Sequence, residues 1–233
     1  MHPETVGHRA GAQQVGRTAL SLLVVNVLVG LSTAPLWAVG LSAGPIRTGA
    51  TLAALPVFVL PALAATFAVF RTSAVGGPAS ERGMPEAPRR VAGIWWRAWR
   101  RHFGMSAIVG TILAFIVAVA LINIGVFLGS PAATVTTPLN VLVALLTTST
   151  ALHLLALQVE SGVGLPLRKR IQACLALSVR RFHRTVLGFV ALLVAGSMIL
   201  ELPPVGVLVT LAPLLWVAWF MFRTTLDPVI PEG

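Results

Sequence analysis

The sequence predicts an all-α, polytopic membrane protein of about six transmembrane helices, with two interfacial amphipathic helices on the cytoplasmic side. Three observations predict it. First, 56% of the 233 residues are hydrophobic and only 10% are charged, whereas a soluble domain carries about 25% charged residues. That leaves too little polar surface to coat a water-soluble globule, and the mean hydropathy of +0.88 points the same way. Second, six apolar stretches approach the roughly 20 residues that a bilayer-spanning helix needs. Third, the basic residues fall almost entirely on one side of those stretches.

The predicted spans are 19–41, 49–70, 105–128, 137–158, 185–202 and 203–222, and Glu201 is the only charged residue in any of them. A charge at mid-membrane costs about 2.5–3.5 kcal/mol on insertion scales, so this depletion is expected. Helices are the spanning form because each backbone group must find its partner within the segment. The last two spans touch at Pro203–Pro204, which makes that boundary the least regular.

Residues 1–18 read as a disordered cytoplasmic tail, 19–228 as a single membrane domain and 229–233 as a C-terminal tail. Arg9 and Arg17 precede the first span as they would a signal peptide. The apolar stretch that follows is longer than a signal peptide's hydrophobic region, which favours an uncleaved span. Residues 72–90, rich in Gly, Pro and Ser, read as a cytoplasmic linker.

Orientation follows from charge. Of the 17 basic residues, two lie in the N-terminal tail, seven in 71–104, six in 159–184 and one, Arg223, after the last span; only Arg47 falls on the opposite side. Six spans therefore put both termini and both basic loops in the cytoplasm of a cell bounded by a plasma membrane. Every basic residue but Lys169 is arginine, a bias expected of GC-rich bacterial coding.

The net charge of +10 and pI near 11.9 raise the question of nucleic acid, and the segment "GIWWRAWRRHFG" (93–104) sharpens it. On a helix, Val91, Trp95, Trp96, Trp99, His102 and Phe103 share an arc about 160° wide, with Arg90, Arg97, Arg100 and Arg101 opposite. That is the pattern of a helix lying in a membrane interface, rings toward the acyl boundary and arginines toward anionic headgroups. Base stacking on the tryptophans would need that face free, yet it abuts a predicted membrane entry point, so no nucleic-acid partner is assigned. A docking face for a cytoplasmic protein is the other alternative. The predicted interfacial helices are 89–104 and 165–184. In the second, Leu167, Ile171, Cys174, Leu175, Ser178, Val179 and Phe182 share a face, and Lys169, Arg170, Arg180, Arg181 and Arg184 lie elsewhere. Arg168 and Leu177 are out of pattern.

No reaction is legible. "GLSAG" (40–44) fits the nucleophile-elbow pattern, but that mechanism needs a strand, a His and an Asp around it. There is no Gly-rich phosphate loop, no HExxH and no His cluster at metal-ligand spacing, and the lone Cys174 excludes an internal disulfide. No catalytic, cofactor-binding or metal residue is assigned, and no cofactor is expected. Intramembrane polar candidates are Asn26, Asn123 and His153. For His153 the expected partner is Thr147, Thr148 or Ser149 of a neighbouring copy, or Asn26 or Asn123. A Glu201–Arg47 pair is the corresponding expectation on the outer side.

"VVNVL" in the first span, "LPVFVLPALAATFAVFR" (55–71), "WWRAWRRHF" (95–103) and "LPLRKRIQACLALSVRRFHRTV" (165–186) resemble the YesL-like bacterial integral membrane proteins over roughly residues 20–228. The resemblance implies signature positions at Asn26, Pro61, Ala62, Ala65, Trp95, Trp99, Arg100 and Phe103, with His102 where the family usually has Asn. It further implies a non-enzymatic accessory or regulatory component associated with carbohydrate ABC uptake systems, whose subunits would be partners alongside the anionic bilayer. The alternative is a permease moving a small solute through the bundle. Against usual ATPase coupling, "VESGVGLPLRKRI" lacks the E-A-A-x₃-G pattern of importer permeases. Ligand and oligomeric state are not legible.

Overall fold

The structure, a computed structural model, describes residues 19–34, 45–74, 88–160, 166–201 and 210–226. Those residues form seven helices and no strand: α1 (Ala19–Ala34), α2 (Pro45–Ala74), α3 (Pro88–Phe127), α4 (Ala133–Val159), α5 (Leu167–Arg180), α6 (Phe182–Glu201) and α7 (Leu211–Leu226). The expectations for the 1–18 tail, for GLSAG, for most of the 72–90 linker, for Pro203–Pro204 and for the Arg47 side chain lie outside the described residues.

Two helices are long and apolar enough to cross a membrane, one over Arg89–Phe127 and one over Ala133–Val159. Only 28% of the apolar stretch in the first and 39% of that in the second is buried inside the protein. A core helix of a water-soluble domain would be buried over most of its length. The remaining apolar helical stretches, Ala19–Ala34, Pro56–Thr72, Phe182–Met198 and Leu211–Leu226, are 10–17 residues long within the described chain.

α3 departs from expectation. In place of two elements, one flat on the interface over 89–104 and one spanning over 105–128, there is one uninterrupted helix of 40 residues. The physical reason is local. Pro88 sits at the first helical position, where its missing N–H costs nothing. After it, only Gly93, Gly104, Gly110 and Gly125 weaken the helix, by about 1 kcal/mol each relative to Ala, and none of them is a breaker. At 1.5 Å per residue α3 is about 60 Å long, twice the hydrocarbon thickness of a bilayer. Its aromatic half therefore continues the axis of the apolar half.

The second expected interfacial helix exists as α5 but ends early. Arg181 leaves the helical region at φ −113°, ψ 41°, and its backbone N–H donates to the Leu177 carbonyl. Phe182, His183 and Arg184 thereby become the first turn of α6. The exposed residues Leu167, Ile171, Leu175, Val179 and Phe182 make a continuous apolar stripe. Leu177, which the sequence pattern put on the polar side, is buried with Cys174 and Ser178.

The core sits at one end of the bundle. It gathers Leu60 to Phe70 of α2, Val91 and Trp95 of α3, Ala151 to Val159 of α4, Cys174 of α5, and Leu215, Trp219, Phe222 and Leu226 of α7. Val25 and Val29 of α1 join it. The opposite end is different. There the α3–α4 hairpin turns at Gly129, whose φ of +86° suits glycine. Apolar side chains along it, such as Phe115 at 70% and Leu128 at 74%, are exposed.

Ala62, Ala64 and Ala65 of α2 are fully buried, and such small residues let helices approach closely. The tightest point is Gly110, where an added Cβ would lie 2.6 Å from the Pro56 carbonyl oxygen. Gly110→Ala should therefore destabilise the fold by about 1–3 kcal/mol. At Gly104 an added methyl would have nothing within 4 Å, so Gly104→Ala should be neutral or stabilising by up to about 1 kcal/mol. Thermal unfolding of the two variants in detergent, followed by helical circular dichroism, checks the contrast.

Candidate functional site

The most connected polar feature lies where α2, α4 and α7 end. Glu160, immediately after α4, is 8% exposed. Its Oε2 sits 3.0 Å from Arg71 Nε, in the last turns of α2. Its Oε1 accepts from Arg223 Nε of α7 at 3.3 Å. Each carboxylate oxygen thus takes a different arginine from a different helix. Arg71 Nη1 also donates to the Val159 carbonyl at 2.8 Å, and the Arg223 guanidinium lies 5.9 Å from the Trp219 ring centroid.

A second arginine arrangement completes this rim. Arg181 Nη1 and Arg184 Nη1 both donate to the Thr224 carbonyl, at 2.6 and 2.8 Å. The last carbonyls of a helix lack partners within the helix and carry the negative end of its dipole. Arg71 serves that need for α4, and Arg181 and Arg184 serve it for α7. The sequence pattern puts these last two among headgroups; in the structure each also has one N–H engaged inside the protein. Arg90, Arg97, Arg100, Arg101, Lys169 and Arg180 are exposed, and Arg170 is half-buried.

The tryptophan segment also needs correction. Trp95, expected on the membrane face, is 2% exposed. Its Nε1 donates to Thr66 Oγ1 at 3.2 Å, and Thr66 in turn donates to the Ala62 carbonyl at 2.9 Å. The indole N–H finds its polar partner on α2 rather than among headgroups. Trp96 is exposed at 51% and stacks on Trp99 with centroids 5.2 Å apart. Trp99 meets Phe103 at 4.7 Å, and Arg100 lies 6.0 Å over the Trp96 ring. Only one edge of the ring cluster therefore faces outward. Pro61, Ala62, Ala65 and Trp95, signature positions implied by the resemblance, are buried, as is Asn26 at 1%.

His153 is fully buried. Its Nδ1 lies 2.8 Å from the Ser149 carbonyl, so that nitrogen carries the proton and donates. Ser178 Oγ is 3.2 Å from the same nitrogen, and Ser149 Oγ donates to Ser178 Oγ at 2.8 Å. Nε2 has no hydrogen-bond partner among the described residues, and the ring meets Phe222 edge-on at 5.0 Å. The partners are thus on its own helix and on α5. Asn123 does not reach it but donates to Asn140 Oδ1 across the α3–α4 hairpin at 3.4 Å. No group of three or more metal-capable side chains occurs among the described residues.

The sequence pattern did not single out Glu160 as a partner. Its signal was present: Arg71, Glu160 and Arg223 each close an apolar stretch, and all three lie on the side predicted to be cytoplasmic. Comparison of the chain with family models, with curated proteins and with solved structures gave no match.

Two outcomes follow. Glu160→Gln leaves two arginines facing a neutral amide and should cost about 3 kcal/mol, read as a lower unfolding temperature in detergent. Glu201→Gln, exposed at the far end of α6, should change it little. Burial pushes the Cys174 thiol up to about 12. The thiolate is the reactive form, so a membrane-permeant maleimide at neutral pH should label Cys174 only after denaturation. Rapid labelling of the folded protein would contradict the buried placement.

Proposed function

We propose that the chain crosses a bacterial plasma membrane six times with both termini in the cytoplasm, and that it is a non-enzymatic accessory or regulatory component of carbohydrate ABC uptake. The observation that carries the topology is the Arg71–Glu160–Arg223 contact. It requires the C-terminal ends of α2, α4 and α7 to lie at one level, hence on one side. With α3 and α6 running back between them, the basic stretches 71–104 and 159–184 and Arg223 fall on that side. The outward-facing apolar surface of α3 and α4 supports lipid as the surrounding medium. The exposed stripe of α5, flanked by Arg168, Lys169 and Arg180, suits the lipid–water boundary of the same leaflet.

The uptake role draws on the YesL-like resemblance; one of its positions, Trp95, bonds Thr66 across the α2–α3 seam. The seam is a packing device rather than a reaction centre, and His153 is sealed against Phe222 with no acidic neighbour among the described residues. Both observations suit a component that works through contact with other subunits.

Single cysteines introduced as Arg47→Cys, Ser80→Cys, Ala133→Cys, Leu165→Cys and Pro204→Cys test the topology. Cys174 gives no background, for the reason above. An impermeant thiol reagent applied to intact cells should label positions 47, 133 and 204 and spare 80 and 165; labelling of 80 or 165 overturns the orientation. Co-purification in mild detergent tests the role. Recovery of a sugar-transporter ATPase, permease or binding protein is expected, and a solitary protein counts against it.

A further inference from the structure

The first turn of α6 and the last turns of α7 border a shallow, open depression of about 420 Å³ lined by His183, Arg184, Leu187, Phe220, Met221 and Thr224. Its lining is ordered by depth. His183, Arg184 and Thr224 stand at the helix ends; Leu187 is one turn along α6, and Phe220 and Met221 are one turn back along α7. Beyond them the apolar wall continues. Leu187 is 51% exposed, Val190 48% and Trp216 44%, and Trp216 stacks on Phe220 at 5.8 Å.

We propose that this groove holds one anionic phospholipid of the cytoplasmic leaflet, its phosphate on Arg184 and Arg181 and an acyl chain along the α6–α7 seam. The proposal rests on the membrane reading above. Two anchored cations at the head of an apolar wall carry it. The described residues contain two carboxylates, Glu160 and Glu201. Glu160 is held by Arg71 and Arg223, and Glu201 is 17 residues beyond Arg184 on α6, about 25 Å away. Arg180, Arg181 and Arg184 thus have no acidic partner among the described residues. Arg181 and Arg184 are nonetheless fixed in place, since each gives one N–H to the Thr224 carbonyl. Each guanidinium has five N–H donors in a planar fork that matches phosphate, and the prior anchoring reduces the ordering cost of binding. A cytoplasmic leaflet supplies the anion, and basic pockets between helices on that side suit such headgroups. A free phosphate would satisfy the cations but leave the apolar wall unused, which favours the lipid.

The test uses the full chain purified in neutral detergent, with phosphatidylglycerol and phosphatidylcholine of identical acyl chains as probes and native mass spectrometry as readout. One phosphatidylglycerol per chain should be retained in preference to phosphatidylcholine. Arg181→Gln and Arg184→Gln should each weaken retention about fivefold. Leu187→Trp fills the groove without touching the α7 cap, and it should weaken retention even if the arginine variants fold poorly. Equal retention of the two lipids, or indifference to Leu187→Trp, overturns the site. So does displacement of the lipid by inorganic phosphate alone, which would mark a free-anion site. In each of these cases a chain that still needs detergent leaves the membrane reading standing. Solubility without detergent would instead remove that reading first.

Discussion

Unpaired carbonyls at helix ends, and the arginines that answer them, organise this protein. A helix that finishes at the edge of an apolar medium leaves its last carbonyls without partners. Here Val159 is met by Arg71, and Thr224 is met by both Arg181 and Arg184. Glu160 then makes the arrangement reciprocal: it takes one arginine from α2 and one from α7. Buried ion pairs are weak evidence for stability in themselves. Their value here is geometric, because they fix which ends of which helices coincide.

The rest of the core follows from that registration. With α2, α4 and α7 level at one end, the stretch Ala151–Leu157 of α4 is enclosed on all sides. Trp219 and Phe222 of α7 fill the space beside it. The α2–α3 contact adds a second constraint through Gly110 against Pro56 and Trp95 on Thr66. Along the α3–α4 hairpin apolar side chains face outward.

Helix positions were largely legible in the sequence, because long apolar runs have few alternatives to helix. Faces were not. In lipid, an apolar side chain is equally at home against the bilayer or against another helix, so periodicity alone could not separate Trp95 from Trp96. One is buried against Thr66 and the other is exposed. The same ambiguity hid Leu177, which belongs to the core although basic residues surround it in sequence. The continuity of α3 was hidden because the change from aromatic-basic to purely apolar composition suggested a boundary, while no residue there breaks a helix. Arg181 and Arg184 were recognisable as cations; their carbonyl partner was not, since Thr224 lies 40 or more residues away.

The two-armed carboxylate also has a consequence for synthesis. Arg71 and Glu160 are both made well before Arg223, so a chain still on the ribosome has a carboxylate with one arginine in place and its second oxygen waiting for a donor. Until its seventh helix emerges, α4 also lacks the contact that registers it against α7. Completion of the final helix supplies that donor, and the trio then carries a single net positive charge.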